Sequence, residues 1–133
     1  MKAPIRILLC DDQPVIRSRV CEALAERPDI QVVGEATGGL AAVAMASELL
    51  PDLVLMDVVM PGLSGIEATR QIRAAAPDVK VLAFSAGAEQ QTVDEMFSAG
   101  AQGFLVKDGD SEELVRAIRS VAAGLYYRSP RHM

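Results

Sequence analysis

No stretch of the 133 residues approaches the ~20 consecutive apolar residues that a bilayer-crossing helix requires. Nor does the start follow the basic, then apolar, then small-residue order of a secretory leader. The expectation is a cytoplasmic protein with no membrane contact. Basic residues do not outnumber acidic ones. The net charge is -5 and the pI is near 4.8, which argues against intrinsic nucleic-acid binding by these residues. Cysteine is scarce: Cys10 and Cys21 do not form a Cys-x-x-Cys pair. One closes a predicted strand and the other lies in a helical pattern, so both read as reduced, packed thiols of a cytosolic protein. A glycine-rich phosphate loop is missing, since Gly38-Gly39 is too sparse to cradle a nucleotide or a flavin. There is no internal repeat, no linker inside the domain and no low-complexity segment.

What is present fits one small domain. A hydrophobic content of 50% can fill one sizeable core. Short aliphatic runs occur at Ile5–Cys10, Ile30–Val33, Leu53–Met56, Val79–Phe84 and Gly103–Val106. Their continuous apolarity predicts strands buried on both faces, as in a parallel sheet. Helical spacing fills the intervals. Ile16, Val20, Ala23 and Leu24 form one apolar stripe; Leu40, Val43, Ala44 and Leu50 form a looser one. Val93, Met96 and Phe97 predict a short helix capped by Gly100. Leu114, Ile118, Val121 and Leu125 give the clearest stripe, preceded by a capping-box-like Asp110 and Glu113. Pro14 suits the first turn of the first helix. Five βα units joined by right-handed crossovers give a three-layer α/β/α domain.

The chemistry collects at strand ends. Asp11-Asp12 follow the first strand, Asp57 the third, Ser85 the fourth and Lys107 the last. In an open parallel sheet those ends share one edge, where ligands bind. Taken alone, Asp11 or Asp12 reads as a helix cap, Lys107 as a solvated charge and Ser85 as a turn residue. Together they imply more. If the first and third strands are neighbours, three carboxylates converge and need a cation. Mg²⁺ suits them: a hard ion with oxygen ligands that keeps several waters. Lys107 can then pair with Asp57 and with an incoming phosphoryl group, and the Ser85 hydroxyl can donate to it. The implied chemistry is metal-assisted phosphoryl transfer to an aspartate.

Leu8-Leu9-Cys10-Asp11-Asp12, then Asp57-Val58-Val59-Met60-Pro61-Gly62 with Gly65, then Ser85, Phe104 and Lys107 resemble the receiver domain of bacterial two-component response regulators. The match covers nearly the whole chain in the right order. Gly103-Phe-Leu-Val-Lys-Asp108 and Ala123-Gly124 through Tyr127-Arg-Ser-Pro130 are similar to the NarL/FixJ subfamily, whose receivers precede a LuxR-type helix-turn-helix domain. The resemblance implies a flavodoxin-like (βα)5 fold with strand order 2-1-3-4-5. It implies Asp57 as acceptor of phosphate from a sensor histidine kinase. Mg²⁺ would be held by Asp12, Asp57, the Val59 carbonyl and, directly or through water, Asp11. Lys107 and Ser85 would bind the phosphoryl group, and Ser85 with Phe104 would form the switch pair. A homodimer on phosphorylation is the expected assembly.

The departures are mild. Cys10 stands where an aliphatic residue is usual, and Gln13 where the subfamily often has histidine. Asp108 replaces the proline found after Lys107 in many receivers. Ser85 replaces the commoner threonine and Phe104 the commoner tyrosine, which favours a buried, active-like ring. An aspartate-nucleophile phosphatase would carry Asp-x-Asp after its first strand, which is absent here. The expected limits are a receiver over residues 3–123 and, over 124–133, the start of a linker toward a C-terminal DNA-binding domain. DNA would be bound only through that domain. The alternative is a stand-alone receiver working through protein contacts.

Overall fold

A computed structural model describes residues 3–129 of the chain. In chain order the elements are β1 (Ile5–Cys10), α1 (Pro14–Ala25), β2 (Ile30–Ala36), α2 (Gly39–Leu49), β3 (Leu53–Asp57), α3 (Gly65–Ala75), β4 (Lys80–Ser85), α4 (Gln90–Ala99), β5 (Gly103–Val106), α5 (Ser111–Ala122) and β6 (Tyr127–Arg128). The strands form one parallel sheet in the order β2-β1-β3-β4-β5-β6. This is the flavodoxin-like order expected, with one strand more.

The aliphatic runs become strands because both faces of the sheet are covered. Leu8, Cys10, Val54 and Met56 point into a core shared with α2, α3 and α4. Ile7, Leu9, Leu53 and Leu55 point into a second core shared with α1 and α5. All eight are buried. Burying each large aliphatic side chain contributes roughly 1.5–3 kcal/mol. The polar groups carried on the strand ends ride on this frame.

β1 has β2 on one side and β3 on the other. The order of construction reverses between β1 and β3, which makes the crevice beyond their C-terminal ends the site-forming switch point. Cys10 lies opposite Met56 in register, so Asp11 and Asp57 leave the sheet side by side. Gly65 closes the loop after β3: its N–H donates to Val58 O at 3.0 Å. A Cβ at Gly65 would meet the Asp57 carbonyl oxygen at 2.0 Å. Ser64 then caps α3, its hydroxyl accepting from Glu67 N at 3.2 Å.

Some expectations give way. The stripe Leu40, Val43, Ala44, Leu50 is not the buried face of α2: Leu40 is 72% exposed and Leu50 60%. Gly39, Ala42 and Ala46 face the core instead, with Val43, Met45 and Leu49 packed at its margin. Small residues let α2 sit close to the sheet, and Leu50 lies past the helix as its C-cap. Only half of the capping box on α5 forms. Asp110 accepts from Glu113 N at 3.1 Å, but the Glu113 carboxylate accepts from the Tyr127 hydroxyl at 2.7 Å. α5 stops at Ala122, so Leu125 is exposed beyond it.

The fold also runs past the boundary expected at residue 123. Tyr127–Arg128 add a strand beside β5, and the buried Ser129 hydroxyl accepts from Val106 N at 3.1 Å. The Ser129 N–H donates to Phe104 O at 3.1 Å. Residues 130–133 of the expected linker lie outside the described residues.

Two glycines in the same loop separate space from conformation. Gly65→Ala drives a methyl group into backbone and should cost about 3 kcal/mol or more of unfolding free energy. Gly62 has φ of 77° but open surroundings, so Gly62→Ala should cost only about 1–2 kcal/mol. Urea unfolding measures both; equal, small losses would contradict the close approach of α3 to Asp57.

Candidate functional site

The three carboxylates converge. One oxygen from each of Asp11, Asp12 and Asp57 lies within 4.8 Å of the others. Asp11 and Asp57 are buried and Asp12 is half-buried. Lys107 crosses the sheet edge to join them. Its Nζ lies 2.7 Å from Asp11 Oδ2 and 3.0 Å from Asp57 Oδ1. The backbone brings it there: Lys107 N donates to Ser85 O at 2.7 Å, just beyond the paired ends of β4 and β5.

Asp11 is not a helix cap. Its Oδ1 accepts from Gln13 N at 2.9 Å, an Asx turn. The N-cap of α1 is Gln13, which makes no side-chain capping bond. The Asp11 N–H donates to Ala36 O at 3.1 Å, and the Asp11 carbonyl accepts from Arg17 Nη1 at 2.8 Å. Arg17 and its partner Glu35 were not legible in the sequence, because nothing in the spacing of a basic residue on α1 and an acidic one on β2 marks them as a pair.

Charge and burial make the centre electronegative. Burial pushes the Asp57 carboxyl up to about 6; Lys107 pulls it down, and Asp11 and Asp12 raise it further. Cys10, beneath the site, is pushed up to about 12, first by burial and then by the charges of Asp57, Asp11 and Asp12. Its Sγ is 3.5 Å from both Gly38 O and Met60 Sδ. The thiol is packed, as expected, and its raised value disfavours the thiolate; both cysteines are free.

These residues fit a divalent cation. Three carboxylates against one ammonium leave two formal negative charges. Asp11 Oδ2 is enclosed and receives no aligned hydrogen bond, although the ammonium is close by. A hard, oxygen-seeking ion such as Mg²⁺ answers both features. An open cleft of about 820 Å³ leads to the cluster, lined by Asp12, Asp57, Val59, Ser85, Gly87 and Lys107 among others. Val59 is 78% exposed at its rim. Ser85 is buried, with its Oγ accepting from Gly87 N at 3.4 Å. Phe104 is buried in the core on the α4 side. The structure thus gathers Asp11, Asp12, Asp57, Ser85, Lys107 and Val59 at one edge and sets Phe104 beneath it.

This sheet and acidic centre are those of a receiver domain, a small signalling module. A two-component response regulator of the LuxR family from Aurantimonas sp. SI85-9A1 superposes with a TM-score of 0.92 at 37% identity, over 98% of this chain and 93% of that one. The receiver domain of the putative response regulator NarL from Mycobacterium tuberculosis gives 0.89 at 36% identity, over 92% and 99%. The chain belongs to the response regulator receiver domain family, whose model matches residues 7–119. Its relatives are of the NarL/FixJ type. Among them, the response regulator GacA of Pseudomonas aeruginosa is 42% identical over 96% of this chain. The chain spans 59% of that relative's length.

The raised Asp57 carboxyl has a stability consequence without metal. The folded state holds the proton more tightly than the unfolded chain does, whose value is near 3.8. The group therefore favours folding below that value, and the benefit is lost as pH rises through about 6. In EDTA, the wild type should lose roughly 2–3 kcal/mol relative to Asp57→Asn between pH 4 and pH 7. Saturating Mg²⁺ should shrink the gap by binding only the native wild type. Urea titrations across that range check it; parallel curves for the two proteins would contradict the assignment.

Proposed function

We propose that this receiver is switched by phosphorylation of Asp57. The observation that carries this reading is the ammonium of Lys107 held between Asp11 and Asp57, with the Asp12 carboxylate close by. An Asp57 oxygen attacks the phosphorus of a phosphohistidine on a sensor kinase. The P–N bond breaks as the P–O bond forms, and the leaving imidazole takes up a proton. Lys107 pairs with the phosphoryl oxygens and the Ser85 hydroxyl donates to one of them. Asp11, Asp12, Asp57 and the Val59 carbonyl are the groups that would hold Mg²⁺, which would supply charge neutralisation and polarise a phosphoryl oxygen. The chain is a regulatory phosphoacceptor that assists its own transfer and hydrolysis.

The output follows from the switch pair. An acyl phosphate adds charge and acceptor oxygens at Asp57. Ser85 moves toward it, and Phe104, already buried, responds on the same side of the sheet. Such coupling is typically ~1–3 kcal/mol, enough to bias a pre-existing equilibrium. In the full protein it would promote homodimer formation and govern a C-terminal helix-turn-helix domain that binds DNA. That arrangement is carried over from the resemblance to the NarL/FixJ subfamily, to which the relatives belong. The place of action would be the cytoplasm; among the described residues no helix is long and apolar enough to cross a membrane.

Labelling with acetyl phosphate tests the acceptor. Uptake should require Mg²⁺, and Asp57→Asn should abolish it while leaving the fold intact by circular dichroism. Undiminished labelling of that variant, or full labelling in EDTA, would overturn the proposal.

Lifetime is a separate expectation. Hydrolysis needs a water held in line with phosphorus, which polar side chains do best. Val59 and Gly87 both line the cleft, and neither has a polar side chain. Dephosphorylation should be slow, with a half-life of minutes or more. A Cβ at Gly87 meets nothing within 4 Å, so Val59→Asn with Gly87→Glu is sterically accommodated. An orienting contribution of ~1–2 kcal/mol would shorten the lifetime roughly 5–30-fold. Loss of labelled phosphate in excess Mg²⁺ measures it; a wild-type half-life of seconds, or no acceleration in the double variant, refutes it.

A further inference from the structure

We propose that Arg17, braced by Glu35, is a positioning residue that sets the Mg²⁺ affinity of the acidic centre; the inference rests on the functional reading above. Two observations carry it. The β1–α1 loop, which bears Asp11 and Asp12, enters α1 through Pro14 without a side-chain cap. Its N-cap Gln13 makes no side-chain bond, and no acidic residue stands in the first turn of α1. In place of a cap, Arg17 reaches back from the first turn and donates through Nη1 to the Asp11 carbonyl at 2.8 Å.

The same guanidinium is anchored at its other edge. Arg17 Nε lies 3.3 Å from Glu35 Oε1 on β2. The fork therefore ties the loop to both α1 and the neighbouring strand. A guanidinium is suited to this: it is planar, always charged and presents several donors in fixed directions. A lysine carries its donors on one atom, so it matches less well two partners met at the separate Nη1 and Nε positions.

The clamp acts on metal binding through the carboxylates. Asp11 is held at its amide by Ala36 O, at Oδ1 by Gln13 N and at its carbonyl by Arg17. Asp12 lies between the two restrained residues and inherits its position from them. Without the clamp the loop keeps its hydrogen bonds to Ala36 and Gln13 but gains freedom to rotate at the Asp11–Asp12 peptide. The centre then has to be ordered when the ion binds, at a cost in affinity. Groups that orient ligands in this way commonly change metal affinity 10- to 100-fold.

The test measures direct Mg²⁺ binding by NMR titration, with metal-free stability followed by urea unfolding in EDTA. Arg17→Ala should weaken Mg²⁺ binding roughly 10-fold, and Arg17→Lys should recover part of it. Glu35 is 45% exposed, so Glu35→Gln should fold normally and weaken binding by about 3-fold, a fraction of the full clamp effect. The Mg²⁺ concentration for half-maximal labelling by acetyl phosphate should rise by the same factors, with the rate at saturating Mg²⁺ kept within about 2-fold. Ile118→Val on α5, remote from the site, should lose stability without changing Mg²⁺ affinity. If Arg17→Ala and Glu35→Gln bind Mg²⁺ as tightly as the wild type while Asp12→Asn binds it weakly, the clamp is overturned and the metal site stands. If the wild type binds no Mg²⁺, both readings fall together.

Discussion

Carboxylates packed around one point repel, and here a single ammonium holds them. Lys107 is the contact on which the centre of the molecule depends. Parallel strands lie ~4.8 Å apart, and β5 is separated from β3 by β4. A group at the end of β5 must therefore span two strand widths to touch Asp57. Only a long side chain achieves this, and only if what ends β4 is small. Ser85 and Ala86 meet that requirement, and the Ser85 carbonyl anchors the amide of Lys107 on the way. The strand order, the small residues closing β4 and the length of lysine are parts of one geometrical solution.

That solution leaves the centre under electrostatic tension. One cation among three anions does not balance them, and burial strengthens each charge's field. The surrounding core supplies the stability that tolerates this. Strands packed on both faces and glycine at the α3 entry keep the carboxylates from moving apart. The arrangement has the character of active sites generally, where local stability is given up so that an incoming charge is met by preset partners.

The central strands were legible because each is a continuous aliphatic run, and residues at their ends inherit a known edge. Asp11, Asp12, Asp57, Ser85 and Lys107 could be placed together for that reason alone. Spacing failed where packing distance rather than polarity decided the buried face: on α2, alanine and glycine sit inside while Leu40 lies outside. It failed again where side chains far apart in sequence pair through space, as with Arg17 and Glu35 or Glu113 and Tyr127. A strand of two residues carries no periodicity at all, so β6 left no signal.

β6 has a consequence for the molecule as a particle among its own copies. Without it β5 would be the sheet's outer strand, a row of bare amides and carbonyls flanked by buried aliphatic side chains. Such an edge templates strand pairing with other chains. Tyr127, Arg128 and Ser129 occupy it, and the described strand is only two residues long, with the charged Arg128 in it. At the opposite rim, β2 breaks its register beside Ile7 and Leu8 and carries the exposed Gln31 and Glu35. Among the described residues both borders of the sheet thus carry features that disfavour edge-to-edge strand pairing.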